Sequence, residues 1–440
     1  MKSTTRVLLI TLLSLACAAP LWAKPLSGSR PNIILVMTDD QGMGDLSCMG
    51  SPVLKTPQLD RFHAQSTRFA NFHVSPTCSP TRGAIMSGRY PFEVGITHTI
   101  APRERAALDV VMFPVALQKA GYKTGIFGKW HLGDEEEYEP GNRGFDEVLV
   151  HGGGGIGQYV FGDFQPNREN TYFDNVLLHN ETIVKTKGFC TDLFFDAACA
   201  WIGKQVSVAP PRPEARAGAG PGTGPPYFAY ISLNAPHGPM IAPEGYKKRF
   251  LEMGYDEQTA GRFGMIENID DNFITDDGMS RPWIQKDEKK LPSFNAGMRG
   301  AKNTPYDGGT RVPSFWYWKG VLGKGVDIDG LTAHIDLYKT FCELAGAAIP
   351  ESKLPPHGRS LLPLLENPEA KWANRKIFVN CGRWNPGERD ASKYYKNSVR
   401  TQRWRWAEDG DLYDLANDPG EKRNVAAEHP EVAKELRAAY

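Results

Sequence analysis

The sequence carries no surplus of either charge: 51 Lys and Arg residues offset 51 Asp and Glu residues. That balance excludes a dedicated nucleic-acid or anionic-membrane partner, so any anion recognition has to be local. Beyond residue 18 there is no apolar run long enough to cross a bilayer, and the chain has no internal repeat and no dinucleotide-binding glycine fingerprint. Paired-histidine and thiolate metal patterns are missing too, which argues against zinc and copper. Cysteine is scarce, with seven in 440 residues.

The one apolar stretch, residues 7–18, stands behind Lys2 and Arg6 and ahead of small residues that suit a cut after Ala19 or Ala23. Residues 1–23 therefore read as a secretory signal, which predicts an exported protein, periplasmic or extracellular, with no stable membrane span. The rest is long enough for one large α/β domain with a smaller partner.

Three apolar segments end in polar groups. Asn32-Ile-Ile-Leu-Val-Met-Thr38 reads as a buried parallel strand ending in Asp39-Asp40-Gln41-Gly42. Thr124-Gly-Ile-Phe127 leads into Gly128-Lys129-Trp130-His131, and Phe228-Ala-Tyr-Ile-Ser-Leu233 leads into Asn234-Ala-Pro-His237. Helical patterns at residues 113–120 and 334–345 alternate with these strands, which predicts a doubly wound, mostly parallel α/β sheet with its ligand crevice at the carboxyl ends of the strands. Residues 207–226, crowded with Pro, Ala and Gly, read as a flexible insertion. Past residue 365, short segments around Lys376-Ile-Phe-Val379, Ser398-Val-Arg and Arg403-Trp-Arg-Trp406 predict a small antiparallel sheet, closed by a helix at residues 431–440.

The most informative stretch is Cys78-Ser79-Pro80-Thr81-Arg82. Pro80 suits the first turn of a helix, so residue 78 should sit near the positive helix end, where an anion is stabilised. Taken alone, the segment reads first as a buried cysteine at a helix start. Its Cys-x-Pro-x-Arg pattern, followed in order by Gly128-Lys129-Trp130-His131-Leu132-Gly133, Asn234-Ala-Pro-His237 and Gly300-Ala-Lys302, resembles the type I, formylglycine-dependent sulfatases of the alkaline phosphatase-like superfamily.

That resemblance implies a catalytic domain over residues 31–365 and a C-terminal subdomain over residues 366–440. It implies that a separate formylglycine-generating enzyme oxidises Cys78 to formylglycine, whose hydrate offers one oxygen to attack sulfur and a second to expel the sulfate. Arg82 would compensate charge on that diol, Lys129 would hold a sulfate oxygen, and His131 would remove the diol proton. His237 and Lys302 would face the bridging ester oxygen, and one of them would protonate the departing alcohol. Asp39 and Asp40 match the first metal half-site, and Asp276 and Asp277, in Phe273-Ile-Thr-Asp276-Asp277-Gly278, resemble the second; hard carboxylates favour one Ca2+ ion. Conversion of Cys78 leaves an odd number of cysteines in the mature chain, which excludes a full disulfide framework.

Two features depart from the family pattern. Asp277 stands where Asn is usual, and the chain runs from Glu267-Asn-Ile-Asp270 straight into Asp271-Asn272-Phe273, without the helix, turn and full strand that precede this pair in the family. The resulting expectation is an intact fold with weakened calcium affinity; ordinary tight binding in a calorimetric titration of the apo protein contradicts it. The implied substrate is a sulfated small molecule or glycan. The alternatives are a phosphate or phosphonate ester hydrolase of the same superfamily and a catalytically silent binder of sulfated glycans. Asp307 with Arg311, and His334 with Asp336, read as braces. His151 stays open beside the pliable Gly152-Gly-Gly-Gly155 run, and Trp283, Arg383 and Trp384 fit a sugar subsite or simple packing equally well.

Overall fold

Alternate residues of the strand Tyr227–Ser232 point into two different cores, and this one strand explains the layering. Phe228 and Tyr230 pack with Phe113 and Phe341 on one face, whereas Ala229 and Ile231 pack with Phe194 and Ile269 on the other. A strand covered on both faces reads as a continuous apolar run, and each large side chain buried this way contributes about 2 kcal/mol over leaving it in water. The computed structural model describes residues 25–156, 171–207, 224–272, 294–407 and 410–440.

The sheet has six strands in the order Ile33–Met37, Tyr227–Ser232, Lys123–Lys129, Glu147–His151, Val176–His179 and Thr182–Lys185. The first four run parallel, in registers that pair Met37 with Ser232, Ser232 with Gly128, and Lys129 with His151; the last two add antiparallel. Helices Phe113–Lys119 and Asp336–Ala345 cover one face and Cys190–Ser207 the other, so the expected doubly wound, mostly parallel class is what forms.

One strand departs from expectation. The sequence reads residues 32–38 as buried, but among the described residues Ile33–Met37 has Tyr227–Ser232 as its one neighbour, and Ile34 is 51% exposed. The physical reason is position in the sheet: an apolar run does not say whether a strand has neighbours on one side or two. An apolar cavity of about 420 Å3, walled by Phe315, Trp316, Leu337 and Phe341, runs along it.

The C-terminal region forms an antiparallel sheet of Ile377–Asn380, Asn397–Arg400, Trp404–Ala407 and Asp411–Asp414, with helix Pro430–Ala439 packed on Val399, Trp406 and Leu412. Arg400 and Arg405 of this sheet converge on buried Asp307, and Arg405 also pairs with Glu421 at 2.6 Å. Asp307 therefore braces the junction, with Arg311 at 4.0 Å. Asp336 similarly accepts from the Ala333 and Arg359 amides and from Arg375. Cys48, Cys78, Cys190, Cys199 and Cys342 form no disulfide. Among the described residues no helix is long and apolar enough to cross a membrane. The signal sequence assigned to residues 1–23 and most of the insertion at 207–226 lie outside the described residues.

Candidate active site

The carboxyl ends of three parallel strands meet the start of one helix. Helix Cys78–Ser87 begins at Cys78, with Thr77 as its extended N-cap, so residue 78 sits at the positive end of the helix. Arg82, one turn on, lies on the same face. The guanidinium is fully buried and donates to the carbonyls of Lys129 at 2.9 Å and Leu233 at 3.2 Å and to the Ser232 hydroxyl, with Asp39 at 3.8 Å. It thus ties the ends of two strands to the helix that carries Cys78.

Gly128 makes that junction possible. Its φ is +122°, and a Cβ there would lie 1.9 Å from the Ser232 carbonyl oxygen, so only glycine lets the strand turn Lys129 inward. Lys129 forms a fully buried ion pair with Asp39. Burial alone would raise the Asp39 carboxyl, but Lys129, His237 and Arg82 outweigh it and hold the group below the ordinary carboxylate range. Asp40 pairs with Lys302 and has the His237 Nε2 at 3.9 Å. The carbonyl of Asp40 accepts from Arg262 at 3.0 Å, and Arg262 is itself paired with Asp45 at 2.6 Å, which anchors this turn to helix Glu257–Asp270.

Three histidines surround the cluster. The Nε2 of His131 faces the Thr99 carbonyl at 3.1 Å. A carbonyl only accepts, so Nε2 carries the proton and Nδ1 the lone pair; Nδ1 is buried with no partner among the described residues. Burial, reinforced by the Lys129 and Arg82 charges, holds His131 far below the usual imidazole range, so it is neutral with its lone pair at Nδ1. His237 is lowered by burial, partly offset by Asp40, and its Nδ1 lies 2.9 Å from the Gly238 carbonyl. His151, left open by the sequence, neighbours Lys129 in the sheet; burial brings it down to about 3, and its Nε2 has no partner among the described residues.

The structure thus links Asp39 to Lys129 and Arg82, and Asp40 to Lys302 and His237, with Arg82 one turn after Cys78 on the same helix and His131 two residues past Lys129. Asp276 and Asp277 lie outside the described residues, as does Trp283. Among the described residues no group of three or more His, Cys, Asp or Glu side chains could hold a metal. Two oxygens of the half-site that is described fit a hard cation: Asp39 Oδ1 and the adjoining Gln41 Oε1 are buried without partners among the described residues.

Sequence reasoning missed Thr99, which sets the His131 tautomer, and Ser232 and Arg262, which brace Arg82 and Asp40. Of these only Ser232, inside an apolar strand, left a signal. Trp384 packs edge-on to Phe92 and under Arg103, 4.8 Å from the ring centroid. Four non-glycine residues here are left-handed: Asp40, His131, Asn303 and Arg383, with φ of 69°, 60°, 67° and 65°. Each costs about 1–2 kcal/mol and persists only where neighbours enforce it, a pattern concentrated at functional sites.

A mostly parallel sheet, covered on both faces, that brings carboxylates, lysines and histidines together at its strand ends has the fold of the alkaline phosphatase-like class. A family profile described as Sulfatase matches residues 31–275, and one described as N-sulphoglucosamine sulphohydrolase, C-terminal, matches residues 301–439. The chain belongs to the sulfatase family and is an enzyme of the sulfuric ester hydrolase class, acting on sulfated substrates. It is similar to the N-acetylgalactosamine-6-sulfatase of Homo sapiens, 28% identical over 393 residues that cover 80% of this chain and 68% of the relative. It is also similar to arylsulfatase G of Canis lupus familiaris, 28% identical over 368 residues, or 74% of this chain and 66% of the relative. The chain spans about two thirds of the length of these relatives.

Among solved structures, Ps i-CgsB superposes with a TM-score of 0.76 at 25% identity, over 92% of this chain and 91% of that one, and has also been solved in complex with k-i-k-neocarrahexaose. The PsFucS1 sulfatase from Pseudoalteromonas sp. shares the fold, with a TM-score of 0.71 at 19% identity over 93% of this chain and 89% of that one.

Proposed function

We propose that this chain is an exported sulfatase that removes sulfate from sulfated carbohydrates, with a formylglycine made from Cys78 by a separate formylglycine-generating enzyme. The observation that carries the reading is the gradient of burial across the site: Lys129, Asp39 and His131 are almost wholly enclosed, while Lys302 and His237 are partly open. An enclosed cationic floor suits the small sulfate group, and a more open rim suits a leaving group of variable size. The carbohydrate assignment is supported by the relatives, one named for N-acetylgalactosamine-6-sulfate and one solved with a neocarrahexaose. Residues 1–23 support export.

When formed, formylglycine would supply a nucleophilic oxygen with a second hydroxyl for the exit step. Calcium would be held by Asp39, Asp40, Asp276 and Asp277 and would polarise the sulfate. Lys129 contributes fixed positive charge beneath the anion, and Arg82 holds the helix start against the strand ends. His131 takes a proton at Nδ1. Either Lys302 or His237, both on the open side beside Asp40, gives a proton to the departing alcohol.

Release of sulfate from an aryl ester and from a sulfated oligosaccharide, by protein produced with a formylglycine-generating partner, tests the reading; no release from either overturns it. Lys302→Ala separates the roles at the rim. It should lower kcat/KM about 100-fold for an alkyl or sugar ester and less than about 10-fold for a nitrophenyl sulfate, whose leaving group needs no proton. Equal losses on both would reject Lys302 as a proton donor.

A further inference from the structure

One left-handed residue at the site, Arg383, contacts a second, Asn303, and reaches a third, His131, through Thr99, and the mechanism above does not use it. Arg383 follows strand Ile377–Asn380 of the C-terminal sheet. Its Nη1 donates to the Asn303 side-chain oxygen at 2.6 Å, and its Nη2 donates to the Thr99 hydroxyl. Its backbone N–H donates to the Thr97 carbonyl at 2.9 Å. Gly382 allows this approach, since a Cβ there would lie 2.4 Å from the same carbonyl oxygen.

Each contact leads one step further, to a group of the site. The Thr99 carbonyl accepts from His131 Nε2 at 3.1 Å and fixes the tautomer that leaves the lone pair at Nδ1. Asn303 follows Lys302, which pairs with Asp40, and the Asn303 amide donates to the Pro76 carbonyl at 2.9 Å, two residues before Cys78. One guanidinium therefore ties the loop that faces the base to the loop of a rim lysine and, through Asn303, to the segment before Cys78. His131, Asn303 and Arg383 all hold positive φ, a conformation that relaxes unless the surroundings enforce it. A planar fork with two separated N–H groups bridges two acceptors at once, which a lysine ammonium on its flexible stem does not reproduce.

We propose that Arg383 is a positioning residue for sulfate ester hydrolysis: by clasping Thr99 and Asn303 it holds His131 in its working tautomer and the Lys302 loop against the Cys78 segment. The proposal rests on the sulfatase reading above. Arg383 acts through its neighbours and needs no contact with substrate, which distinguishes it from a sugar-subsite arginine.

The experiment compares Arg383→Ala and Arg383→Lys with the matured wild-type enzyme on a nitrophenyl sulfate. Both variants should lose about 100-fold in kcat with KM within about threefold, the scale of a small misplacement of reacting groups. Guanidinium ion added to the assay should restore at least about tenfold to Arg383→Ala and little to Arg383→Lys, whose ammonium fills part of the gap. Independently of turnover, selective 15N-histidine labelling should show His131 protonated at Nε2 in the wild type and a mixture of tautomers in Arg383→Ala.

A raised KM with kcat preserved would overturn the proposal in favour of direct substrate contact, and an unchanged kcat and tautomer would overturn it outright. If Arg383→Ala unfolds, Arg383→Lys decides by the same readings. A wild-type enzyme that releases no sulfate would defeat the sulfatase reading, while the His131 spectra would still decide whether Arg383 sets the tautomer.

Discussion

Cys78→Ser is expected to fold, to release at most one equivalent of alcohol per active site, and then to stop. The single-atom change fits the same enclosed position at the helix start, where residue 78 is 2% exposed, and a serine hydroxyl there can accept the sulfuryl group. What it lacks is a second hydroxyl on the same carbon to expel the sulfate, so the covalent ester persists. Cys78→Ala removes the first step as well and should show no burst. For both variants steady-state kcat should fall by about 10⁴-fold or more, the order expected when a covalent nucleophile is removed. Mass analysis of the peptide carrying residue 78 supplies the control, with an aldehyde in the active wild type. Sustained turnover by Cys78→Ser would mean that the exit step does not need the diol.

The second large effect concerns Lys129. Its ion pair with Asp39 is fully enclosed, and Arg82 stands 3.8 Å from the same carboxylate. Lys129→Met keeps the volume and removes the charge, leaving Asp39 with the more distant Arg82 and His237. Breaking one side of a buried pair costs about 3–5 kcal/mol, because the remaining charge keeps its desolvation penalty. The urea midpoint should fall accordingly, and kcat/KM should drop about 10²–10³-fold through loss of fixed positive charge at the anion. A double substitution, Lys129→Met with Asp39→Asn, should recover part of the stability and none of the activity. If the single variant were as stable as the wild type, Lys129 would not be the main counter-charge of buried Asp39.

Much of this architecture was legible because its chemistry sits where strands end. Asp39-Asp40, Lys129-Trp130-His131 and Asn234 to His237 each follow an apolar run, and a parallel sheet collects such ends on one edge. Cys78 and Arg82 were legible through the resemblance of their Cys-x-Pro-x-Arg pattern, with Pro80 marking a helix start. What stayed hidden falls into three kinds. The exposure of Ile34 depends on whether a further strand lies beside Ile33–Met37, which is a property of the assembled sheet. The contacts of Thr99, Asn303 and Arg383 join residues up to 284 positions apart through loops that carry no periodicity. A left-handed backbone at Asp40, His131, Asn303 or Arg383 leaves no mark of its own in the amino-acid order, since none of the four is glycine.

The junction around Asp307 bears on how such enzymes can be recombined. Its carboxylate is satisfied by Arg400 and Arg405, which in turn engages Glu421, and all three partners come from the last antiparallel sheet and the loop after it. A chimera that grafts the terminal 75 or so residues of a relative onto this core inherits a buried anion whose counter-charges must arrive in matching places. Swaps made upstream of Asp307 would keep the ionic knot within one parent. Shuffling experiments that seek new specificities should therefore cut before residue 300 rather than at the apparent seam near residue 366.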